Sequence, residues 1–234
     1  MSVKERPILF SGPMVRAILE RRKTMTRRVV DPQPKVELFP FLGQDNKPTG
    51  EFAFVDHPRV ISKHIRCPHG VPGDRLWVRE TWVTCKEWDA LPPREIDAMW
   101  VRQTETFPIW RLADGPNVAS KSGVDGKVRP GIFLPRRFSR LTLELTEVRV
   151  ERLQDITEAD AIAEGCEACD ITDADIREAL NNPMDEGAAY MVAFGPGTIT
   201  AKCDFIQLWD SINGKKHPWE SNPWIWVESF RKVN

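Results

Sequence analysis

Alternating apolar and polar residues predict the clearest strand of this chain. Residues 140–145 alternate strictly, which is typical of a strand with one buried face. The alternation changes phase before Val148 and Val150, so we expect a β-bulge near Thr146 and Glu147. Two further segments are predicted as strands: residues 74–84, which follow a turn at Pro72 and Gly73, and residues 224–231.

Apolar residues spaced three and four positions apart predict helices near both ends of the chain. The N-terminal stripe consists of Met14, Ala17 and Ile18. The C-terminal stripe is longer and ends at a glycine: Phe205, Leu208, Trp209, Ile212 and Gly214. Each stripe predicts a helix that packs one face against a core.

Capping residues predict where two helices begin and end. Ser11 suits an N-cap, and Pro13 suits the first turn, where the missing N–H of proline costs nothing. Thr157 and Asp160 have the spacing of a capping box, and Gly165 is the predicted end of that helix.

Short helices mixed with short strands favour an α+β fold with a small β-barrel at its centre. We expect one domain over residues 1–234. Segments rich in glycine and proline interrupt it, and we interpret them as insertions at about 31–66, 85–134 and 166–202.

Composition excludes several function classes. The chain has 234 residues, of which 41% are hydrophobic and 29% charged, and its net charge of −1 provides no global attraction to nucleic acid. It shows neither a signal-peptide pattern nor an apolar run of roughly 18 residues, so we expect no membrane partner. Five cysteines without a secretory signal indicate reduced thiols and a cytoplasmic protein.

The strongest candidate for chemistry is the basic segment of residues 20–28, directly after the first predicted helix. It contains Lys23, Thr26 and four arginines: Arg21, Arg22, Arg27 and Arg28. A lysine beside a hydroxyl is one way to activate a weak nucleophile, and guanidinium groups suit phosphates or carboxylates. A solvated basic surface is the alternative.

This segment resembles a known family signature. Lys23-x-x-Thr26-x-Arg28 is similar to the G-x-K-x-x-[TE]-x-R pattern of ASCH domains, a branch of the PUA-like superfamily, with Arg21 at the usual glycine. Other blocks follow in the family's order, at residues 72–79, 153–165, 205–209 and 224–230. The resemblance is strongest to phage and prophage ASCH-like proteins, often labelled morphogenetic, and it implies a PUA-like barrel in a bacterial host cell.

The resemblance also implies an activity. Small bacterial ASCH proteins that hydrolyse the acetyl amide of N4-acetylcytidine use a lysine, a threonine and a glutamate, which correspond here to Lys23, Thr26 and Glu164. In that mechanism Thr26 would attack the carbonyl, Lys23 would take its proton, and Glu164 would orient the lysine or protonate the leaving amine. The products would form through an acyl-threonine. Glu164 has an alternative interpretation, as an ion-pair partner of Arg28 or Arg21.

Binding of RNA, a nucleotide or a modified nucleoside is the broader expectation. The candidate contacts are the four arginines of the basic segment together with Arg79 and Trp82, because aromatic rings beside arginines can stack on bases. Catalysis on an acylated cytidine is one alternative. An assembly protein with a protein partner is another, and RNA cleavage also stays open.

The spacing of the cysteines is compatible with one kind of metal site, a zinc site with four protein ligands. Cys166-x-x-Cys169 and Cys67-x-His69 together would supply four zinc ligands, although nothing in the sequence brings the two pairs together. We therefore interpret the cysteines as ordinary thiols and expect neither a metal nor a cofactor.

Overall fold

The computed structural model describes residues 3–34, 38–42, 48–57, 60–100, 110–111, 126–171, 173–181 and 197–233. Within them the strands are β1 Glu5–Leu9, β2 Met25–Val29, β3 Leu38–Leu42, β4 Pro48–His57, β5 Val60–Arg66, β6 Arg75–Arg79, β7 Trp82–Val83, β8 Trp110–Arg111, β9 Thr142–Arg152, β10 Cys169–Ile171, β11 Gly197–Ile199 and β12 Trp224–Lys232. The helices are α1 Gly12–Leu19, α2 Pro93–Trp100, α3 Glu158–Ala163, α4 Asp173–Asn181 and α5 Ala201–Asn213. The fold is α+β, as the sequence predicts.

A five-stranded mixed sheet in the order β1-β6-β9-β12-β2 organises the molecule. Strands β1 and β6 run parallel, and the other neighbours run antiparallel. Smaller antiparallel sheets are formed by β3-β4-β5, by β7-β8 and by β10-β11. None of the described helices is long and apolar enough to cross a membrane.

The pairing of β9 with β12 contains the predicted bulge. Ser229 lies opposite Glu147, whereas the next residue, Phe230, lies opposite Leu145, so Thr146 is the extra residue. The bulge keeps the apolar residues on either side of it buried. The bulge therefore explains why the alternation of apolar residues changes phase in the sequence.

The central sheet separates two clusters of buried side chains. Along β12, Trp224 and Trp226 belong to a cluster that also contains residues of α1, whereas Ile225 and Val227 belong to a cluster with α3 and α5. This division follows from the alternation of side chains along a strand. The predicted insertion at 31–66 contributes Phe52 of β4 to the first cluster. The ring of Phe52 packs edge-on against that of Trp226, with 5.2 Å between the ring centres.

The two outer strands of the sheet are β1 and β2. Within the described residues β1 pairs only with β6, and β2 only with β12, so the sheet is not closed. Helix α1 connects these two strands, and its buried Val15 and Ile18 pack in one cluster with Ile8 of β1 and with Val30, which follows β2. Packing of a helix, rather than further strand pairing, therefore links the two edges.

Both ends of helix α1 have an unusual capping residue. Ser11 has the extended backbone of an N-cap, but its side chain makes no capping hydrogen bond. At the other end Arg21 adopts a left-handed conformation with φ of 63°. The N–H groups of Arg21 and Arg22 donate to the carbonyls of Ile18 and Ala17, at 3.1 and 2.8 Å. This is a Schellman ending, in which glycine is the favoured residue at the position of Arg21.

Helix α3 has the same type of ending and approaches the end of α1. Its predicted capping box is confirmed, since Thr157 and Asp160 exchange hydrogen bonds. Gly165 ends the helix with φ of 91°, and a β-carbon there would lie 3.1 Å from Ala17 Cβ and 3.2 Å from Lys23 Cβ. Glycine is thus required at residue 165 both by its backbone conformation and by the close approach of the two helix ends.

We predict that Arg21→Gly stabilises the protein. Glycine carries no β-carbon penalty in the left-handed region, so the free energy of unfolding should rise by about 1 kcal/mol and Tm by about 2–4 °C. Thermal and urea unfolding measure this change. Arg21→Ala is the matched control, because it removes the charge but keeps the β-carbon; an equal gain in that variant would contradict the backbone explanation.

Candidate functional site

Five of the predicted site residues lie where the ends of α1 and α3 meet strand β2. Lys23 lies in the short loop between α1 and β2, whereas Thr26, Arg27 and Arg28 lie in β2 itself. Glu164 is the C-cap residue of α3. The main-chain N–H of Thr24 donates to the carbonyl of Ala163 at 2.8 Å and ties the loop to the helix end. Residues far apart in sequence thereby share one site.

Lys23 and Glu164 form a buried ion pair. Lys23 Nζ donates to Glu164 Oε2 at 2.6 Å and to the Glu164 main-chain oxygen at 2.8 Å. The two side chains are 0% and 4% exposed. The ammonium thus satisfies a carbonyl at a helix C-terminus, where positive charge is favoured, and it also lies 5.7 Å from the ring centre of Phe10.

The Glu164 carboxylate is shared between two cations. Its second oxygen, Oε1, accepts a hydrogen bond from Arg27 Nη1 at 3.3 Å. Arg27 is itself buried, with its Nη2 3.1 Å from Asp160 Oδ2 and its guanidinium 5.7 Å from the ring centre of Phe205. Glu164 is therefore fixed from both sides by Lys23 and Arg27.

Asp160 extends this network to the protein surface. Its carboxylate lies near Arg27 and Arg149, and it accepts the Thr157 N–H of the capping box. Burial alone would raise the pKa of Asp160, but the hydrogen bond from Thr157 and the nearby guanidinium groups lower it below its ordinary value. The ionised form of Asp160, which pairs with both arginines, is therefore favoured.

A cavity of about 200 Å³ opens beside these residues, and we call it the β2-edge cavity. Strand β2, the end of α3 and helices α1 and α5 supply its walls. Its lining residues are Met14, Thr26, Arg27, Arg28, Val29, Glu164, Phe205, Leu208, Trp209, Ile212 and Asn213. Part of the lining is polar and charged, which we call the polar wall, and the rest is apolar or aromatic.

The main chain of β2 contributes to the polar wall. Val30 N donates to Trp224 O, and Phe230 N donates to Thr24 O, so even-numbered residues of β2 face β12. The N–H and C=O groups of Arg27 consequently face the outer edge, where β2 has no neighbouring strand within the described sheet. The N–H and C=O groups at such a strand edge can form hydrogen bonds with an external acceptor and donor.

Arg28 links the cavity to the other edge of the sheet. Its Nη2 donates to the Leu9 main-chain oxygen at 2.6 Å, and its guanidinium lies 5.5 Å from the ring centre of Phe10. Burial lowers the pKa of Arg28, while nearby Glu228 and Glu164 oppose that shift. Both carboxylates therefore lie within electrostatic reach of this one guanidinium.

The remaining predicted binding residues lie apart from the cavity. Arg21 and Arg22 are exposed beside the helix end, and Arg22 pairs with Glu20 and Glu167 at 2.5 and 3.0 Å. Trp82 is 0% exposed and packs in a separate apolar cluster, which corrects the expectation that it is a surface platform for bases. Its size and apolar neighbours explain the burial.

Arg79 also belongs to a different region. It lies at the end of β6, with its guanidinium 4.6 Å from the ring centre of Trp77, and it does not line the β2-edge cavity. Its guanidinium thus contacts an aromatic ring of the protein itself. Of the six predicted contacts, only Arg27 and Arg28 line the β2-edge cavity.

The cysteines do not assemble as the zinc hypothesis required. Among the described residues Cys67 and His69 group with Glu228, and Cys166 and Cys169 are absent from that group. Burial raises the pKa of Cys166 to about 12 and raises the pKa of Cys67 well above its ordinary value. Neither thiol is therefore prepared as a thiolate nucleophile in the metal-free protein.

Sequence reasoning missed the part that three residues play: Phe205, Trp209 and Glu228. Phe205 and Trp209 were predicted as core residues of a helix stripe, and they are buried, but they also form a wall of the cavity. Glu228 was not singled out, although it is the one acidic residue that follows the apolar run of residues 223–227. A charge inside such a strand is the signal that could have identified it.

No protein-family model matches this chain, and no match was found among curated proteins or solved structures.

Proposed function

We propose that this protein binds a nucleoside or nucleobase in the β2-edge cavity. The observation that supports this proposal most is that one small cavity combines the unpaired edge of strand β2, a buried carboxylate and aromatic side chains. Ligand sites in proteins characteristically join apolar walls to a few fixed polar groups. Here Phe205 and Trp209 would contact the flat face of a base, and Arg27 and Glu164 would contact its polar edge.

The size of the cavity favours a ligand built around a single ring. Sites for drug-sized molecules occupy roughly 300–1,000 Å³, whereas this cavity measures about 200 Å³. A pyrimidine base fits that limit, with its sugar at the opening. A stacked run of nucleotides would need a longer groove.

The polar wall suits a base that carries an exocyclic amino group. Carboxylates accept hydrogen bonds from the amino group of cytosine, and each oxygen of Glu164 has a lone pair beyond the one used by Lys23 or Arg27. The outward N–H of Arg27 would donate to the adjacent ring nitrogen, and its C=O would accept from the amino group. Cytidine and its derivatives are therefore the favoured class.

Charge pairing makes a polynucleotide less suitable than a nucleoside. Binding to a phosphate backbone depends on exposed cations along a groove. In the basic segment, however, Lys23 and Arg27 are buried in ion pairs, and Arg22 pairs with two surface carboxylates. Little of the segment's positive charge is left to neutralise a chain of phosphates.

We also propose that the chain is an ASCH-like protein with a barrel-like curl. Arg21 supports the assignment, because it takes the left-handed conformation that explains a glycine at the corresponding position of the signature. The hydrogen bond from Arg28 to Leu9 supports the curl, since it joins β2 and β1 at opposite edges of the sheet. A side-chain bridge would then replace the pairing of strands in a closed barrel.

Amide hydrolysis is the second candidate function. Thr26 and Glu164 line the same cavity, and Lys23 contacts Glu164 at 2.6 Å, which favours the three residues implied by the resemblance. An acylated cytidine in the cavity would bring its amide close to Thr26. Catalysis would thus use the binding site proposed above.

The chemical steps can be written for these three residues. Lys23 must first pass a proton to Glu164 along their hydrogen bond, which frees its lone pair to accept the Thr26 hydroxyl proton. Thr26 Oγ1 then bonds to the acetyl carbon, and the C–N bond breaks as Glu164 protonates the leaving amine. Water finally cleaves the acetyl-threonine ester and releases acetate.

Blocking the cavity is predicted to weaken nucleoside binding. Ile212→Trp places a large ring at a lining residue that is 55% exposed, so it should fill the opening and weaken cytidine binding at least tenfold, measured by calorimetry. Ile162→Trp is the matched control at a residue of α3 that is 53% exposed and outside the cavity. Equal binding by both variants, or binding only to RNA with a steep salt dependence, would contradict the proposal.

Catalysis is predicted to depend on Thr26. Wild-type protein incubated with N4-acetylcytidine should release cytidine, followed by liquid chromatography, and Thr26→Ala should lower the rate at least a hundredfold while still binding cytidine. Thr24→Ala, at an exposed threonine two residues earlier, should retain the wild-type rate. Binding without release would leave a nucleoside-binding protein, whereas neither binding nor release would favour an assembly role.

A further inference from the structure

A second group of chemically reactive side chains lies beyond the β2-edge cavity. Cys67 follows strand β5, His69 lies in the next turn, and Glu228 lies in β12. Cys67 Sγ and His69 Nδ1 lie 3.3 and 2.6 Å from Glu228 Oε1. One ligand atom from each residue lies within 4.8 Å of the other two.

Glu228 is an unusual residue for its position. Its side chain is 0% exposed, and it interrupts the apolar sequence of a central strand. Its second oxygen, Oε2, is buried and has no hydrogen-bonding partner among the described residues. A buried carboxylate is costly unless a cation or a full set of hydrogen bonds compensates it. Glu228 therefore has an oxygen, Oε2, whose acceptor capacity the described residues do not use.

The turn that carries Cys67 and His69 is held by hydrogen bonds and close packing. Gly70 N donates to Cys67 O at 3.2 Å, and Gly70 has φ of 126°, with no room for a β-carbon beside Asp74. Asp74 in turn accepts hydrogen bonds from the Lys4 N–H and the Arg6 guanidinium, at 3.0 and 2.9 Å. These contacts hold the backbone of the turn in one conformation, which is what a preorganised metal site requires of its supporting residues.

We propose that Cys67, His69 and Glu228 bind a zinc ion. Thiolate, imidazole and carboxylate together suit zinc, whereas calcium and magnesium prefer oxygen ligands alone. A thiolate and a carboxylate also neutralise the two charges of the ion, which allows it to lie in a buried site. Three protein ligands leave a fourth position for water or another small ligand.

The geometry needs only local adjustment. Zinc bonds of about 2.0–2.3 Å in a tetrahedron place neighbouring ligand atoms on the order of 3.3–3.7 Å apart. The Cys67–Glu228 separation of 3.3 Å already fits, and the His69–Glu228 separation of 2.6 Å must widen. Binding would release the Cys67 proton to solvent, and His69 would coordinate as the neutral imidazole.

This site is separate from the proposed nucleoside site, although the two are neighbours. Thr26 is the cross-strand partner of Glu228 in the β2–β12 register, but Cys67, His69 and Glu228 do not line the β2-edge cavity. Zinc binding therefore does not depend on whether a nucleoside binds. The two proposals can fail independently.

Metal titration tests the site directly. Protein stripped with a chelator and kept reduced should bind one zinc per chain in competition with a chromogenic chelator. Cobalt in place of zinc should give the visible bands of a four-coordinate ion and a thiolate-to-cobalt charge-transfer band. Cys67→Ser, His69→Gln and Glu228→Gln should each weaken zinc binding at least tenfold, whereas Cys169→Ser and His217→Gln should not change it.

Two results would overturn the proposal. One is the absence of stoichiometric zinc binding by the wild-type protein. The other is a cobalt spectrum without thiolate charge transfer, or with a charge-transfer band that Cys169→Ser abolishes and Cys67→Ser retains. Because the cobalt spectrum of the wild-type protein identifies a thiolate ligand by itself, the test stays decisive even if a substitution in β12 prevents folding.

Discussion

The buried ion pair between Lys23 and Glu164 is the interaction on which the site depends. It joins the C-terminal ends of α1 and α3, which approach so closely that a β-carbon at Gly165 would lie 3.1 Å from Ala17 Cβ. The same contact fixes the start of β2 and directs the Glu164 carboxylate toward the β2-edge cavity. Helix ends, a strand edge and a carboxylate are thereby held in one geometry.

Burying these charges is costly, and the surrounding structure compensates each of them. Lys23 and Arg27 share Glu164, and Arg27 also pairs with Asp160. Buried pairs of this kind contribute little net stability compared with apolar residues, yet removing one partner is strongly destabilising. We infer that the network is retained for the arrangement it imposes on the site and not for stability alone.

Local sequence patterns predicted local structure well. The capping box at Thr157 and the bulge at Thr146 depend on neighbouring residues, and both are present. The family resemblance also implied that Lys23 and Glu164 belong to one site, and the two side chains are in contact. Patterns of this kind do not report long-range packing, which explains why Trp82 was expected at the surface and is instead in the core.

The basic segment shows more clearly that local sequence patterns do not report long-range contacts. Its charges suggested an exposed surface for nucleic acid, but the sequence does not reveal which cations acquire buried partners. Side chains of β2 alternate between two faces, so Arg27 meets α3 while Arg28 reaches across to Leu9. Partners 137 and 19 residues away decide what each arginine does.

A double-mutant cycle on Lys23 and Glu164 tests the central claim most directly. The free energy of unfolding would be measured for Lys23→Met, Glu164→Gln and the double variant. Each single substitution should cost about 3–5 kcal/mol, and the double variant should lose at least 2 kcal/mol less than the sum, because no unpaired charge is left at that junction. Additive losses within about 0.5 kcal/mol would contradict the account, since the two residues would then act independently.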